Sequence, residues 1–452
     1  MAIEKFDVFV IGTGKSGRDV ALACASAGWR VAIADNREYG GTCANRGCDP
    51  KKVIVGLTEI LARSSLMQGN WLTTMPEFSW RDLQEFKRRF TDAVPFVNER
   101  RFKENGIELY HQSPRFIDKQ TLSVEGKTIG ADKIVIATGQ KPATLLFEGA
   151  ALAKVSDDFL NLEELPESMI FIGGGYVGME LAHVAVRLGI DVSLIHLHER
   201  PLNKFDEDMV DLLVEASRNL GIKFHFNARA ERIEKLRKNY RVTISQNNSM
   251  ATLKAEMVFN CAGRVPAVDE LELEKGEVEY SHKGVHVDKQ LRSITNEHVF
   301  ACGDVSSSEG KPLTPLASRE SEVVISQLLG EGKDRKTAVY PVQPSAVFTI
   351  PNIASVGMTE MEARQRKAEI IVRREEVPEW FSSKHINSPV YAFKTIMEKK
   401  SDRILGAHLV GENVSEIINL FSLAITHGLT TKDVKHTIFA YPTRGSEVSA
   451  MV

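Results

Sequence analysis

The chain has 452 residues, of which 43% are hydrophobic and 26% are charged, and its formal net charge is −3 at pH 7. Its length predicts about two to four domains, and its balanced charge excludes a strongly basic nucleic-acid-binding or membrane-surface protein. The first residues enter an apolar strand without a secretory layout, and no apolar stretch reaches the roughly 18 residues of a membrane span. Five cysteines in so long a chain are typical of a reducing compartment. We therefore expect a cytoplasmic enzyme with no nucleic-acid or membrane partner.

The first element is a strand followed by a glycine-rich turn and a helix. FDVFVIGTGKSG contains the pattern G-x-G-x-x-G at Gly12, Gly14 and Gly17. Asp35 follows about 20 residues later at the end of the next strand, where a carboxylate binds an adenosine ribose. The glycines permit a tight turn, the approach of a pyrophosphate and close helix packing. This stretch predicts a dinucleotide site.

The next stretch, GGTCANRGCDPKK, holds two cysteines in a short span, Cys43 and Cys48. In a reducing compartment such a pair is catalytic or metal-binding more often than structural, and a zinc site would need two further ligands. A short irregular turn would bring their Cα atoms within the about 7 Å that a disulfide requires. Asp49 and Pro50 have the residue types of an N-cap and a first helical residue, which predicts a helix that favours a thiolate at Cys48.

A second copy of the glycine motif occurs in SMIFIGGGYVG, at Gly173, Gly175 and Gly178. One such motif is weak evidence, but two in strand–turn–helix context strongly indicate two dinucleotide sites. Strands in KIVIATGQKP and HVFACGDV, which close at Gly139 and Asp304, indicate that one nucleotide-binding domain is interrupted by another. From about residue 337 the pattern changes to α+β without a phosphate loop.

These motifs, in this order, resemble the class I pyridine nucleotide-disulfide oxidoreductases, which include glutathione reductase, dihydrolipoamide dehydrogenase and mercuric reductase. The resemblance rests on GGTCANRGCDPKK and the two glycine motifs, and on ATG, AGRVP, ACGDV, LTPLA and FTIPNIASVGMTEMEA. It covers essentially the whole chain.

The resemblance implies an α/β fold with two Rossmann-like domains and a C-terminal α+β dimerisation domain. The expected boundaries are 1–148 and 271–336 for the two parts of the FAD domain, 149–270 for the NAD(P) domain and 337–452 for the dimerisation domain. The implied partners are a small-molecule electron acceptor and a second copy of the chain, bound through the C-terminal domain. No metal site is expected.

The resemblance also implies two cofactors. FAD would lie on the first glycine motif and contact Gly12, Gly14, Lys15, Ser16, Gly17, Asp35, Gly41, Thr42, Lys52, Thr138, Gly139, Asp304, Leu313, Thr314 and Ala317. NADPH or NADH would lie on the second motif and contact Gly173, Gly175, Tyr176, Val177, Gly178, Glu180, His196, His198, Gly263 and Arg264.

The family's chemistry implies a path for electrons. Hydride passes from the nicotinamide to the flavin, and the reduced flavin opens a Cys43–Cys48 disulfide through Cys48. Cys43 then attacks a substrate disulfide through a mixed disulfide. Lys52 would lie near the flavin and pair with Glu180, and Tyr176 would cover the flavin until the nicotinamide displaces it.

The C-terminus departs from the family pattern. Disulfide-reducing members carry a His-Pro-Thr string, whose histidine serves the partner subunit as an acid–base group, and a glutamate a few residues later. Here FAYPTRGSE places Tyr441 at the histidine position and Glu447 one residue later than usual. Tyrosine titrates near about pH 10 and histidine near about 6.5, so Tyr441 is a poor proton shuttle at neutral pH. Either Tyr441 donates a proton, or the substrate needs little acid–base help.

The loop IHLHERPLNK bears on the choice of nucleotide. Enzymes that select NAD place a carboxylate at the end of the second strand, and those that select NADP place arginines just after it. His196 stands at the carboxylate position, so no negative charge would repel a 2′-phosphate, which favours NADPH. His198, Arg200 and Lys204 are candidate phosphate ligands. Gly178, in place of an alanine, points weakly toward NADH. The choice stays open between the two nucleotides, and the missing carboxylate favours NADPH.

The electron acceptor also stays open. Leu22 stands where glutathione reductases carry a substrate-binding arginine, and GSEVSAMV lacks the C-terminal cysteine pair of mercuric reductase. Three functions remain: a reductase of a small disulfide, a dihydrolipoamide dehydrogenase-like or diaphorase-type enzyme with a quinone, metal ion or other acceptor, and a non-catalytic redox sensor. The intact cysteine signature favours the first.

Overall fold

The structure is a computed structural model that describes residues 3–452. Its strands, in chain order, are β1 Glu4–Ile11, β2 Val31–Ala34, β3 Glu108–Tyr110, β4 Arg115–Phe116, β5 Thr121–Val124, β6 Lys127–Ile136, β7 Gln140–Pro142, β8 Ser168–Ile172, β9 Asp191–Ile195, β10 Lys223–His225, β11 Ala228–Lys235, β12 Tyr240–Gln246, β13 Ser249–Ala255, β14 Met257–Asn260, β15 Arg264–Pro266, β16 Tyr280–Ser281, β17 Gly284–Val285, β18 Val299–Ala301, β19 Ser345–Val347, β20 Asn352–Gly357, β21 Ile370–Glu376, β22 Ala392–Glu398 and β23 Ile404–Gly411.

The helices connect these strands. They are α1 Lys15–Ser26, α2 Gly41–Arg46, α3 Cys48–Met67, α4 Trp80–Thr91, α5 Val94–Glu104, α6 Ser156–Leu160, α7 Tyr176–Arg187, α8 Glu207–Asn219, α9 Thr314–Leu329, α10 Glu360–Gln365, α11 Phe381–Lys384, α12 Val414–Thr426, α13 Thr431–His436 and α14 Val448–Met451. Short 3₁₀ helices span Ala150–Leu152, Gly332–Asp334 and Arg444–Glu447. No helix within residues 3–452 is both long enough and apolar enough to cross a bilayer.

The chain divides into two compact units. Unit 1 consists of Met1–Lys52, Glu85–Ala143 and Arg264–Tyr340, and unit 2 of Val53–Gln84, Thr144–Gly263 and Pro341–Val452. Residues 144–263 are thus grouped with residues 341–452. The four segments expected from the sequence stay a prediction.

Unit 1 is built on a sheet of order β3-β2-β1-β6-β5-β4, in which β18 also pairs with β6. The central pairs β3–β2, β2–β1, β1–β6 and β6–β18 are parallel. Every residue of β2 (VAIA) is buried, as in a central parallel strand that is covered on both faces. The carboxyl ends of β1, β2, β6 and β18 therefore meet at one edge, where the first glycine motif begins.

Unit 2 contains a parallel sheet of order β10-β9-β8-β14 and an antiparallel sheet β11-β12-β13. The second glycine motif follows β8. The C-terminal part is a five-stranded antiparallel sheet, β19-β20-β23-β22-β21, with α12 packed against β20 and β23. The predicted fold class is confirmed, since each glycine motif lies at the carboxyl edge of a parallel sheet and an α+β part follows.

Candidate active site

Cys43 and Cys48 lie on two consecutive helices. Cys43 is in α2, Cys48 is the first residue of α3, and their sulfur atoms form a disulfide with Cα atoms 4.7 Å apart. The predicted irregular turn is wrong, because Gly41–Arg46 is helical. The predicted cap is also wrong, because the helix already includes Cys48 and Asp49 lies in its first turn. There the negative charge of Asp49 still suits the helix dipole.

Gly47 separates the two helices and brings the cysteines together. A β-carbon at Gly47 would lie 2.9 Å from the carbonyl oxygen of Thr42 and 3.3 Å from Cα of Cys43. Such contacts leave no room for a side chain, so only glycine allows the chain to turn back this closely. The sequence shows the glycine, but the close approach is visible only in the structure.

The surroundings of the disulfide favour a thiolate at Cys48. This residue begins a helix of 20 residues, whose amino end is positive. Cys48 is exposed and Cys43 is half-buried in the chain. The hydroxyl of Thr314 donates to Sγ of Cys43 at 3.4 Å and lies 3.9 Å from Sγ of Cys48. Cys48 is thus accessible to a bound group, and a hydroxyl lies beside the disulfide.

The other three cysteines are buried and unpaired. Burial raises the pKa of Cys24 and of Cys261 to about 12, and it also raises the pKa of Cys302. They carry thiols rather than thiolates at neutral pH, which confirms the expectation that they are small buried apolar residues.

In the first glycine motif the middle glycine has room for a β-carbon. β-Carbons at Gly12 and Gly17 would lie 2.3 and 2.0 Å from backbone oxygens, so the protein itself requires glycine at both. At Gly14 the nearest atom would be 3.8 Å away, and its φ of −64° is open to any residue. Glycine at this position is explained by the close approach of a pyrophosphate. The first turn of α1 has no side-chain cap, which leaves N–H groups for phosphate oxygens.

Asp35 supports this motif from the end of β2. Its Oδ2 accepts hydrogen bonds from the N–H and the hydroxyl of Thr13, at 2.9 and 2.6 Å, and its Oδ1 accepts from the N–H of Arg37 at 3.1 Å. A carboxylate offers about four lone-pair sites, so capacity remains for a ribose hydroxyl. Oγ1 of Thr138 is buried and finds no partner in the described part of the chain, as expected where a bound group would supply one.

Several predicted FAD residues lie close together in unit 1. A β-carbon at Gly41 would lie 2.4 Å from Cα of Gly14, so the start of α2 covers the glycine motif. The hydroxyl of Ser16 donates to the carbonyl of Ala317 at 3.0 Å, which joins α1 to α9. Leu313 is the N-cap of α9. Lys15 forms an ion pair with Asp19 within α1.

Sequence reasoning missed Glu320, which holds the turn of the predicted FAD residue Asp304. This glutamate is 4% exposed. Its carboxylate accepts from the N–H of Gly303 at 2.6 Å, from the hydroxyl of Ser308 at 2.6 Å and from that of Tyr340 at 2.7 Å. The sequence does hold a sign of this role, because Glu320 is a charged residue one helical turn after the apolar Leu316, on the buried face of α9. Burial raises the pKa of Asp304, and Arg264 opposes that rise.

The second glycine motif repeats this geometry in unit 2. A β-carbon at Gly175 would meet no atom within 4 Å, and α7 begins at Tyr176 without a side-chain cap. Tyr176 is 52% exposed, and Val177 is half-buried. Glu180 is buried, and its Oε1 accepts the N–H of Phe348 at 2.8 Å. The roles expected of Lys52 and Glu180 stay a prediction.

The first residue after β9, His196, forms hydrogen bonds to backbone groups of the protein. His196 uses both ring nitrogens, since Nδ1 accepts the N–H of Gly174 at 3.0 Å and Nε2–H donates to the carbonyl of Arg200 at 2.8 Å. The ring of His198 is exposed and lies 5.5 Å from that of His196. Arg264, expected on the nicotinamide side with Gly263, lies in unit 1 and donates to the carbonyl of Gln140 at 2.5 Å.

Tyr441 and Glu447 line one cavity of about 380 Å³ in the C-terminal part. Tyr441 is 80% exposed, and Oε2 of Glu447 is buried without a partner among the described residues. Arg444 lies between them in sequence, is 8% exposed, and donates to the hydroxyls of Ser382 and Ser383 at 3.1 and 3.2 Å. The exposed ring of Tyr441 is thus available to another molecule.

Comparison with known proteins decides the family. Residues 6–321 match the family described as "Pyridine nucleotide-disulphide oxidoreductase", and residues 343–452 match its dimerisation domain. The chain belongs to the pyridine nucleotide-disulphide oxidoreductases. It is an NAD(P)H-dependent flavoprotein disulfide oxidoreductase of class I, and members of this family use FAD and NAD(P)H.

Similar enzymes differ in what they act on. The chain is 29% identical to "Dihydrolipoyl dehydrogenase 3" of Haloarcula marismortui, over 97% of this chain and 94% of that protein. It is 29% identical to "Glutathione reductase" of Nostoc sp. PCC 7120, over 99% of each, and 28% identical to "Mercuric reductase" of Staphylococcus aureus, over 97% of this chain and 80% of that protein. These names do not agree on an electron acceptor.

Solved structures show the same fold over the full length. "HOCl-induced flavoprotein disulfide reductase RclA from Escherichia coli" has a TM-score of 0.87 and 27% identity, and covers 98% of this chain and 99% of that one. A Cu(II) complex of the same enzyme has a TM-score of 0.88 and covers 99% of each chain. The family's dimerisation domain indicates a homodimer.

Proposed function

We propose that this enzyme passes electrons from NADPH or NADH through FAD to the Cys43–Cys48 disulfide and on to a small disulfide substrate. One observation carries the proposal: the disulfide is formed at the amino end of α3, with the hydroxyl of Thr314 beside it. Thr314 belongs to the LTP stretch expected at the flavin. The match to the pyridine nucleotide-disulphide oxidoreductase family supports the proposal, as do the two glycine motifs, whose middle glycines have room for a β-carbon.

The residues of the first motif fit FAD. Gly14 would admit the pyrophosphate, the first turn of α1 would bind its oxygens, and Asp35 would bind the ribose. Thr138, with its unpartnered hydroxyl, and Asp304 would bind further polar groups of the cofactor. When bound, FAD supplies the two-electron chemistry that links a nicotinamide to a disulfide.

The protein's own contribution is thiol–disulfide exchange. In the reduced enzyme the Cys43 thiolate attacks one sulfur of the substrate, the substrate S–S bond breaks, and the leaving thiolate takes a proton. The Cys48 thiolate then attacks Sγ of Cys43, which releases the second substrate thiol and restores the Cys43–Cys48 bond. The hydroxyl of Thr314 stabilises the Cys43 thiolate before it attacks the substrate.

Tyr441 is our candidate for the proton donor to the leaving thiolate. Its high exposure supports contact with another molecule, and the dimerisation domain supports a homodimer in which that molecule is a second copy. Replacing Tyr441 with Phe separates the two alternatives. A proton donor predicts a loss of disulfide turnover with flavin reduction unchanged, and a substrate that needs no acid predicts unchanged turnover.

The experiment that tests the function is the Cys43→Ser variant. We expect it to bind FAD and to bleach the flavin absorbance when NADPH or NADH is added, but to lose disulfide reduction. The buried Cys24→Ala variant is the control and should keep turnover. Unchanged disulfide turnover in Cys43→Ser would contradict the proposal. The acceptors to compare are glutathione disulfide, lipoamide, other small disulfides and quinones.

A second candidate acceptor is a metal ion. The Cu(II) complex among the similar structures and the similarity to mercuric reductase favour it. Cu²⁺ and Hg²⁺ therefore belong among the acceptors, and loss of their reduction in Cys43→Ser would show that they use the same dithiol. The cytoplasmic location inferred from cysteine usage stays a prediction.

A further inference from the structure

Asp35 and His196 are equivalent residues of the two glycine motifs. The first glycine of each motif donates its N–H to the last residue of the neighbouring strand: Gly12 to the carbonyl of Ala34 at 2.7 Å, and Gly173 to that of Ile195 at 2.8 Å. The residue that follows is Asp35 in the first case and His196 in the second. Each donates its own N–H to the next strand along: Asp35 to Tyr110 at 3.1 Å, and His196 to His225 at 2.9 Å.

The side chains of Asp35 and His196 make the same hydrogen bond to their glycine loops. Oδ2 of Asp35 accepts the N–H of Thr13 at 2.9 Å, and Nδ1 of His196 accepts the N–H of Gly174 at 3.0 Å. Thr13 and Gly174 are both the second residue of the G-x-G pattern. His196 therefore supports the glycine loop as a carboxylate does.

The two side chains differ in the hydrogen bonds that they can still offer to a bound nucleotide. The carboxylate of Asp35 has lone pairs to spare, but a neutral imidazole has only two polar atoms. In His196 the second polar atom, Nε2, donates its hydrogen to the carbonyl of Arg200 at 2.8 Å. Burial lowers the pKa of His196, so the ring stays neutral. Both ring nitrogens are used, so the ring cannot hydrogen-bond a ribose 2′-hydroxyl. Because it is neutral, it neither attracts nor repels a 2′-phosphate.

Gly174 provides the space for the imidazole. A β-carbon at Gly174 would lie 2.9 Å from Cγ of His196 and 3.0 Å from its Nδ1. In the first motif the smaller Asp35 leaves room for the side chain of Thr13, whose hydroxyl donates to Oδ2 at 2.6 Å. Gly174–His196 and Thr13–Asp35 are thus two alternative pairs for one position of the fold.

The nearby arginine does not supply the missing charge. Arg200 is paired with Asp211 and Glu199, each at 2.8 Å, and with Glu207 at 3.7 Å. A guanidinium surrounded by three carboxylates is a poor ligand for a phosphate. The loop after β9 thus lacks both the carboxylate that selects NAD and a free arginine of the kind that selects NADP, which leaves the exposed His198 and Lys204 as candidate phosphate ligands.

We propose that His196 is a specificity residue that makes the second nucleotide site indifferent to the 2′-substituent, so that the enzyme uses NADH and NADPH alike. The inference rests on the proposed function, in which this motif binds the nicotinamide dinucleotide. His196 positions the glycine loop and makes no contact that distinguishes a 2′-hydroxyl from a 2′-phosphate.

The test is calorimetric titration of the FAD-loaded enzyme with 5′-ADP and with 2′,5′-ADP. We expect the two dissociation constants to agree within about tenfold in the wild type. His196→Asp should shift their ratio toward 5′-ADP by at least about tenfold, because the carboxylate binds the 2′-hydroxyl and repels the phosphate. The KM for NADPH should rise relative to that for NADH. The exposed His427→Asp variant adds the same charge elsewhere and should leave the ratio unchanged.

A paired variant protects the test from a folding defect. Gly174→Thr alone should lower the melting temperature, because its side chain meets the imidazole and Cβ of Pro201. The double variant Gly174→Thr/His196→Asp removes the first contact, so it should recover part of the loss and show the shifted ratio. A wild-type ratio outside tenfold, or a ratio unchanged in both His196→Asp variants, would overturn the inference. If neither nucleotide binds the wild type, the assignment of the site, and the inference with it, is wrong.

Discussion

The hydroxyl of Thr314 donates to Sγ of Cys43 at 3.4 Å, so the first residue of α9 touches the redox disulfide at the start of α3. The two residues are 271 positions apart in the sequence. This contact links a stretch expected at the flavin to the sulfur expected to attack the substrate. It gives the first prediction.

Thr314→Val should slow the reaction of reduced Cys43 with iodoacetamide at neutral pH. The hydroxyl stabilises the thiolate, and a hydrogen bond worth about 1 kcal/mol corresponds to a rate lower by about fivefold. Peptide mass spectrometry of the alkylated protein measures the rate at Cys43 itself. Thr314→Ser keeps the hydroxyl and is the control. Equal rates in Val and wild-type proteins would show that the contact has no electrostatic role.

Glu320→Gln should weaken FAD retention. The neutral amide loses charge-assisted bonds to Gly303, Ser308 and Tyr340, each worth about 1.5–3 kcal/mol, and the turn that carries Asp304 loosens. We expect the dissociation constant for FAD, measured by flavin fluorescence, to rise by about tenfold or more. Glu322→Gln, on the exposed side of α9, should not change it. Tight FAD binding in Glu320→Gln would show that Gly303–Asp304 is held by other contacts.

His183 should make the enzyme sensitive to acid. Burial, with a smaller contribution from Arg187, lowers its pKa to about 3. The neutral ring donates from Nε2 to Ser217 at 2.8 Å and accepts the N–H of Ile350 at Nδ1, at 3.2 Å. In the unfolded chain His183 takes up its proton near about pH 6.5, so the contribution of the neutral ring to the free energy of unfolding is fully present above that pH. This contribution falls as the pH approaches the pKa of His183 in the folded protein, by about 2 kcal/mol between pH 6.5 and 5.

Urea denaturation at several pH values measures this loss. His183→Gln should show a shallower pH dependence than the wild type. The lowered pKa values of His196, His225 and His408 contribute to the dependence that remains. The exposed His427→Gln variant should keep the wild-type slope. A slope unchanged by His183→Gln would mean that other groups carry the acid sensitivity.

Lys394→Met should destabilise the enzyme strongly. Lys394 is buried, and its Nζ lies 3.0 Å from Asp206, 2.5 Å from Asp208 and 3.4 Å from Glu360. Asp206 is also buried, and within residues 3–452 Lys394 is its only ion-pair partner. Removing the partner of a buried carboxylate costs about 3–5 kcal/mol. The free energy of unfolding in urea is the measurement.

An exposed ion pair provides the comparison for Lys394. Lys384 pairs with Glu379 at 2.8 Å on the surface of the C-terminal part. Exposed pairs contribute about 0–1 kcal/mol, so Lys384→Met should have little effect. Equal effects of the two substitutions would show that burial of Lys394 does not matter to stability.

Local patterns in the sequence predicted much of the fold. The two glycine motifs, the strands before them and the close cysteine pair depend on residues near each other in the chain, so their geometry follows from spacing. The helix boundary at Cys48 was missed because the close approach at Gly47, not a capping residue, ends α2.

Contacts between distant residues were not predictable in this way. Glu320 and Tyr340 are brought to Gly303 by the packing of α9, and Thr314 is brought to Cys43 by the fold of unit 1. His196 was visible as a substitution for an acid. That both its nitrogens are used depends on Gly174 and on the carbonyl of Arg200, which only coordinates show.

Thiol trapping tests the central claim most directly. The FAD-loaded enzyme is mixed without oxygen with one equivalent of NADPH or NADH, quenched with an alkylating reagent and analysed by peptide mass spectrometry, with the buried Cys24 and Cys302 as internal controls. The account predicts that Cys43 and Cys48 become alkylated only after the nucleotide is added, and that a disulfide acceptor reverses this. A Cys43–Cys48 bond that stays oxidised while the flavin is reduced would contradict it.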